Sequence, residues 1–325
     1  MNAAMAALPE SPDSRVVDLR RISAPDLAPV LEEEAAAWRS ALDWDLQPSA
    51  DLVRRFVEIQ ALNGFALLEG TRTIGYTYYV REETKGLIGD IYVLERERTP
   101  ARENALIEAA LEALWRSPGI HRVEAQLLML GSPIDRKMPF ASWFRSFPRR
   151  FMEIPAARAA HLDPREPEGI VLAHWSESLQ EETARLVAAA YRDHVDSEIN
   201  DQYRSPGGAR RFLKNIIQYP GCGTFFAPAS YAALDPRSGA LRGVSLASLV
   251  AADSGHITQI CVDPSVRGKG LGYAMLRRSL VALAAHGCRT VSLTVTASNT
   301  KAIQLYERMG FTQKRDFSAY VWDSW

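Results

Sequence analysis

Apolar and polar positions along the 325 residues follow two spacings, and these divide the chain into elements. Residues 15–21 alternate and predict a strand. Apolar positions at helical spacing predict a helix over 24–41 and a second over 51–62, with Ser49 as its N-cap. Three β-rich runs follow, 65–68, 73–80 and 87–94, separated by turns that contain glycine. Thr99-Pro100 opens a helix that runs to Trp115 and is stopped by Pro118-Gly119, and 122–130 predicts a further strand. The Pro- and charge-rich stretch 163–169 then reads as a linker, which sets a boundary near residue 165.

Beyond it the order returns. A strand is expected over 170–175, helices over 179–195 and 208–219, and strands over 224–234, 241–251 and 256–262. A helix over 270–286 ends at Gly287, a strand covers 289–296, a short helix 299–309 and a closing strand 311–322. Strand, two helices, three strands, helix, strand thus occurs twice, a repeat of about 160 residues that suits a duplicated domain. The expected units are a disordered leader over 1–14, a first domain over 15–165 and a second over 166–325.

Composition narrows the function classes. Hydrophobic residues are 47% and charged residues 24%, a globular balance, and no apolar run reaches membrane-spanning length. A formal net charge of -1 argues against a general binder of nucleic acid or anionic membrane. The leader lacks the basic start and apolar stretch of a secretory signal. Cys222, Cys261 and Cys288 form neither a metal-ligand spacing nor a disulfide framework, so the expected compartment is the reducing cytoplasm and no metal is expected. The seven tryptophans, Trp325 among them, are scattered and are read as core.

The chemistry concentrates at one junction. A β run ends at Asp263-Pro264, and Arg267-Gly268-Lys269-Gly270-Leu271-Gly272 leads into a helix. Three glycines let backbone N–H groups approach a ligand, and the helix N-terminus adds unpaired donors and partial positive charge. Arg267 and Lys269 add formal charge, so the turn suits a pyrophosphate. Neither the P-loop frame nor the dinucleotide frame fits it. A second element, Asn299-Thr300-Lys301-Ala302-Ile303-Gln304-Leu305-Tyr306 followed by Gly310-Phe311, places Asn299 and Tyr306 on one helix face two turns apart, with Ala302 keeping that face open.

The run from Ile260 to Gly272 and the run from Asn299 to Phe311 together resemble the two acetyl-CoA motifs of the GNAT superfamily of N-acetyltransferases. The resemblance covers residues 165–325 through these motifs and residues 15–160 through architecture alone. It implies an α+β (α/β/α) fold of two tandem GNAT-like domains, each a mixed, mainly antiparallel sheet flanked by helices. It also implies acetyl-CoA, or another acyl-CoA, as co-substrate and transfer of an acyl group to a primary amine. Ile260, Cys261, Val262, Arg267, Gly268, Lys269, Gly270, Leu271, Gly272 and Asn299 would bind the cofactor, and Tyr306 would be the general acid. The junction at 90–103 of the first domain has no glycine and carries Glu97 and Glu103, so that domain is expected to be degenerate and to lack CoA binding. The amine would lose its proton to His256, or to Glu198 or Asp201 within the acidic set Asp193, Asp196, Glu198 and Asp201, or to a water relay. Cys261 reads as a small strand residue, since Ile260 and Val262 supply no base.

The expected acceptor is a small-molecule amine, with a mycothiol-synthase-like enzyme as a narrower version that no acceptor motif selects. The alternatives are a non-catalytic acyl-CoA sensor and a protein N-terminal or lysine acetyltransferase. Nothing in the sequence fixes the oligomeric state.

Overall fold

The computed structural model describes residues 14–131, 136–219, 221 and 223–323. Residues 1–13 of the leader expected over 1–14, Cys222 and Trp325 lie outside them, and Ser14 opens the first strand.

The first half runs β1 (Ser14–Asp18), α1 (Ala24–Leu42), α2 (Gln47–Glu58), β2 (Gly64–Glu69), β3 (Arg72–Glu82), β4 (Lys85–Val93), α3 (Pro100–Trp115), β5 (Arg122–Gln126) and β6 (Phe144–Pro155). The second runs β7 (Val171–His174), α4 (Gln180–Ala190), α5 (Val195–Ile199), α6 (Pro206–Gln218), β8 (Thr224–Phe225), β9 (Tyr231–Leu234), β10 (Leu241–Ala251), β11 (Ser254–Val262), α7 (Leu271–His286), β12 (Thr290–Thr296), α8 (Thr300–Met309) and β13 (Thr312–Asp323). The expected mixed sheet is present. Its strands pair antiparallel except β4 with β5 and β11 with β12. In the first half α1 and α2 bury their apolar stripes on one face and α3 on the other. In the second, α4 and α6 cover one face and α7 the other.

Several boundaries moved for local reasons. Helix α2 starts at Gln47, because Pro48 sits in its first turn and Ser49 is already helical. The helix expected over 179–195 stops at Ala190, and Asp193 in the left-handed region (φ 59°) turns the chain into the short α5. A 3-10 turn at Ala227–Ala229, holding Pro228, separates β8 from β9.

Strand β6 was not expected. Its sequence lacks clean alternation and contains Pro148, which argues against a central strand. Pro148 is tolerated because it stands one residue beyond the last pair with β12, Thr296 opposite Arg149. The strand order β1-β2-β3-β4-β5-β13-β6-β12-β11-β10-β9-β7 is continuous across both halves. The last strand of the chain, β13, adds to β5 of the first half, and β6 adds to β12 of the second. Each half therefore completes its sheet with a strand from the other.

A buried ionic network reinforces the join. Lys85 is 4% exposed and bonds Glu124 at 2.9 Å and Asp201 at 2.5 Å. Arg122 pairs with Glu124 at 2.6 Å and Asp323 at 2.8 Å, and donates to the carbonyls of Glu198 and Ile199. First-half strands thus hold the loop after α5.

Cut at residue 165, neither half should fold alone, because each leaves an unpaired edge and half an ionic network. Co-expression of the two pieces should restore a soluble complex, and gel filtration with circular dichroism of each piece checks it.

Candidate active site

The parallel pairing of β11 with β12 runs from Ser254 opposite Thr290 to Ile257 opposite Leu293 and then ends. A bulge at Thr258, whose Oγ1 donates to the Leu246 carbonyl at 3.1 Å, re-aims β11 as the strands part. A cleft of 1160 Å³ opens between them. Its walls are β11 from Ile257 to Val262, the following turn, one face of α8, and the linker from Asp163 to Glu168.

The turn has the geometry its glycines predict. Gly268 and Gly270 both lie at φ 79°, where side chains with a Cβ are strained. Gly270 caps α7 with no side-chain hydrogen bond, so the first amides of that helix stay open to a ligand. A Cβ on Gly272 would lie 3.8 Å from both Leu305 and Val262, inside the passage between α7 and α8. Arg267 is used structurally: it donates to the Ala190 carbonyl at 2.6 Å and to the Val262 carbonyl at 3.4 Å, tying the end of α4 to the end of β11. Lys269, Lys301 and Arg308 line the cleft on the same side as the turn and α8.

Helix α8 brings the second element to the cleft. Asn299 accepts from the Ala302 amide at 3.3 Å, and its Nδ2 lies 3.3 Å from His194 Nε2. His194 Nδ1 in turn accepts from the Asp196 amide at 3.2 Å. Tyr306 is 7% exposed and packs against Phe311 at 5.9 Å. Burial, then the negative charge of Asp196, push its phenol pKa up, while Arg149 pulls it down, so the hydroxyl keeps its proton at neutral pH. Thr296 donates to the Asp196 carboxylate. Opposite them, Tyr191 donates to the Ile260 carbonyl at 3.4 Å and accepts from Gln259 Nε2 at 3.1 Å, with its ring stacked on Tyr203 at 4.5 Å.

The structure gathers Ile260, Cys261, Val262, Arg267, Gly268, Lys269, Gly270, Leu271, Gly272, Asn299 and Tyr306 around one cleft. Three sequence candidates are elsewhere. His256 is 5% exposed and lies between Trp44 (5.1 Å) and Phe151 (6.1 Å), with Nδ1 2.9 Å from the Ser292 hydroxyl. Burial first, and Arg149 second, lower its pKa to about 3. The strand pattern gave its position but not the Trp44 side chain that covers it. Glu198 is turned away, ion-paired with Arg145 at 2.8 Å beside a separate hollow of 540 Å³. Asp201 is held by Lys85, and of the acidic set Asp196 reaches the cleft. The Cys261 thiol is pushed up to about 12 by burial, against a hydrogen bond from Gln259 and the charge of Arg267. It stays protonated, as a strand residue without a base should.

Sequence reasoning missed His194, Tyr191, Gln259 and Arg149. The first two flank the unforeseen end of α4. Arg149 sits on a first-half strand and is brought here only by the strand exchange.

The first half has a parallel pair of its own. Strands β4 and β5 stop pairing at Ile88 opposite Ala125. At the start of α3, Thr99 accepts from the Arg102 amide at 3.2 Å, and the buried Glu103 carboxylate accepts from the Gly131 amide at 3.0 Å and pairs with Arg136. Arg136 also bonds the Gly131 and Pro100 carbonyls, each at 2.8 Å. Glu97 is held by Arg72 at 2.5 Å and Arg102 at 2.6 Å.

Among the described residues no helix is long and apolar enough to cross a membrane, and no group of three or more His, Cys, Asp or Glu could hold a metal ion.

Residues 187–311 match the acetyltransferase (GNAT) family. The mycothiol acetyltransferase of Propionibacterium freudenreichii subsp. shermanii is 24% identical over 280 residues, covering 81% of this chain and 84% of that protein. That of Thermobispora bispora is 33% identical over 157 residues, 46% of this chain and 49% of its own. In fold, the chain is similar to a GCN5-related N-acetyltransferase from Sphaerobacter thermophilus, with a TM-score of 0.67 at 20% identity over 98% of this chain and 97% of the other. A tandem GNAT protein from the clavulanic acid biosynthesis pathway gives 0.61 at 16% identity over 96% and 98%.

The depressed His256 pKa has a consequence for stability. Unfolded, the ring titrates near 6.5, so its contribution is complete above about pH 6.5 and declines as pH falls toward 3. Urea midpoints of the wild type and of His256→Asn should therefore converge on acidification from about pH 7 to about pH 4; midpoints that decline in parallel would contradict this placement.

Proposed function

We propose that this chain, whose residues 187–311 match the acetyltransferase (GNAT) family, transfers an acetyl group from acetyl-CoA to the primary amine of a small molecule in the cleft between β11 and β12. The observation that carries the reading is convergence. An uncapped helix start behind two left-handed glycines, a strand edge freed of its neighbour and a buried protonated phenol all face one cavity.

The residues fit the co-substrate part by part. The open amides at the start of α7, with Lys269, suit its pyrophosphate. The main chain of Ile260 and Val262, past the last pair with β12, suits an amide-bearing arm laid along it. Acetyl-CoA would supply the activated thioester. A neutral amine attacks the carbonyl carbon, the C–N bond forms and the C–S bond breaks. Backbone N–H groups of β11 stabilise the transient oxyanion. Tyr306 gives its proton to the departing sulfur. The amine proton leaves through a water relay, and Asp196 attracts the amine in its cationic form.

A small acceptor is favoured because first-half strands close in on the far side: β6 supplies Arg149, and Lys85 and Arg122 hold the loop after α5. The relatives named mycothiol acetyltransferases support the same class. The first half, with Glu103 paired to Arg136 at the start of α3, is assigned a supporting role without CoA binding.

Tyr306→Phe should lower kcat by about 10²-fold or more while CoA affinity stays near wild type; unchanged turnover on a verified amine would remove the acid assignment. Gly270→Glu, which puts both a Cβ and a negative charge at φ 79° beside the open amides, should abolish CoA binding. Calorimetry giving wild-type affinity for that variant would remove the phosphate site.

A further inference from the structure

Arg149 is the one residue of the cleft wall that comes from β6, and its charge is unanswered. Its Nη2 donates to the Thr294 hydroxyl at 3.2 Å, and its guanidinium lies 5.9 Å from the Phe317 ring. Its Nε is buried and has no hydrogen-bond partner among the described residues. Among the described residues no carboxylate stands within ion-pairing distance of it, whereas its neighbour on β6, Arg150, reaches Glu307 at 3.9 Å. A guanidinium carries five donors in a rigid fork and does not lose its proton, so a half-buried one facing a cavity calls for an oxyanion.

That anion does not belong to the phosphates of the co-substrate. Thr294 immediately follows Leu293, where β11 and β12 part, so Arg149 stands at the apex of the cleft. The glycine turn lies past Val262, at the other end of the parted stretch of β11. The apex also holds the opposite charge, Asp196, fixed by the Thr296 hydroxyl, and the Tyr306 phenol feels both.

Resting on the acetyltransferase reading above, we infer that the acceptor is an anionic amine, whose carboxylate or equivalent oxyanion is held by Arg149 while Asp196 holds its ammonium group. Arg149 is then a specificity residue, contributed to the second half's site by the exchanged strand of the first. An amine lacking the acidic group would leave a half-buried cation unpaired, and that penalty gives discrimination.

The test measures binding to the full-length protein saturated with CoA. The probes are pairs that differ by the acidic group: alanine and ethylamine, phenylalanine and 2-phenylethylamine, O-phosphoethanolamine and ethanolamine. In the wild type the acidic member of at least one pair should bind about tenfold or more tightly than its partner, as one charge-assisted pair implies. Arg149→Gln should bring that ratio close to one, and Arg149→Lys should keep much of it. Thermal melts of both variants report whether the fold survives. Equal binding within every pair, failure of every acidic probe to bind, or a ratio that survives in a folded Arg149→Gln protein would overturn the inference. Failure of the wild type to bind CoA at all would instead remove the acetyltransferase reading on which it rests.

Discussion

Past Ile257 and Leu293, two neighbouring strands of a thirteen-stranded sheet give up their shared hydrogen bonds. Unpaired main-chain groups in a sheet interior are costly, and a fold keeps them only where something else meets them. Here the Thr258 bulge sets the divergence, Arg267 and Tyr191 each bond one carbonyl of the freed strand, and the remaining edge faces a cavity. The glycine turn, α8 and the loop after α4 are all disposed around that opening. Close it, and none of their special geometry has an object.

The opening stands between two joined halves. Strand β12, one lip of the cleft, is backed on its other side by β6, and β6 by β13. The second half's site is thus walled by the first half's last strand, while the first half's sheet is finished by the end of the chain. The ionic network of Lys85, Arg122, Glu124 and Asp201 acts in the same direction and fixes the loop that carries Tyr203. Its buried charges stabilise less than their number suggests, since desolvation offsets much of their attraction. What they contribute is one arrangement of the halves.

Much of this was legible in the sequence because it is local. Glycines at 268, 270 and 272, a cap at Asn299 and a tyrosine seven residues on are statements about φ angles and helix faces, and the structure realises them at those positions. The acid–base partners were less legible. Asp196 and Glu198 lie two apart on α5, so a short helix sends one into the cleft and the other toward Arg145. His256 alternates correctly on β11, yet Trp44, from the link between α1 and α2, covers it. Arg149 depends on a strand pairing between residues more than a hundred positions apart, and no local pattern encodes that.

The carboxylate buried at the start of α3 bears on how such a chain could change. The helix start is capped by Thr99, and Glu103, Gly131 and Arg136 are bonded together beside it. Glycines placed in that turn would free the backbone but leave the resident carboxylate and its guanidinium where they are. Removing Glu103 alone would strand Arg136, and removing Arg136 alone would strand a buried acid. The two residues therefore form a pair that can change only together, since either single step leaves a buried charge without its partner.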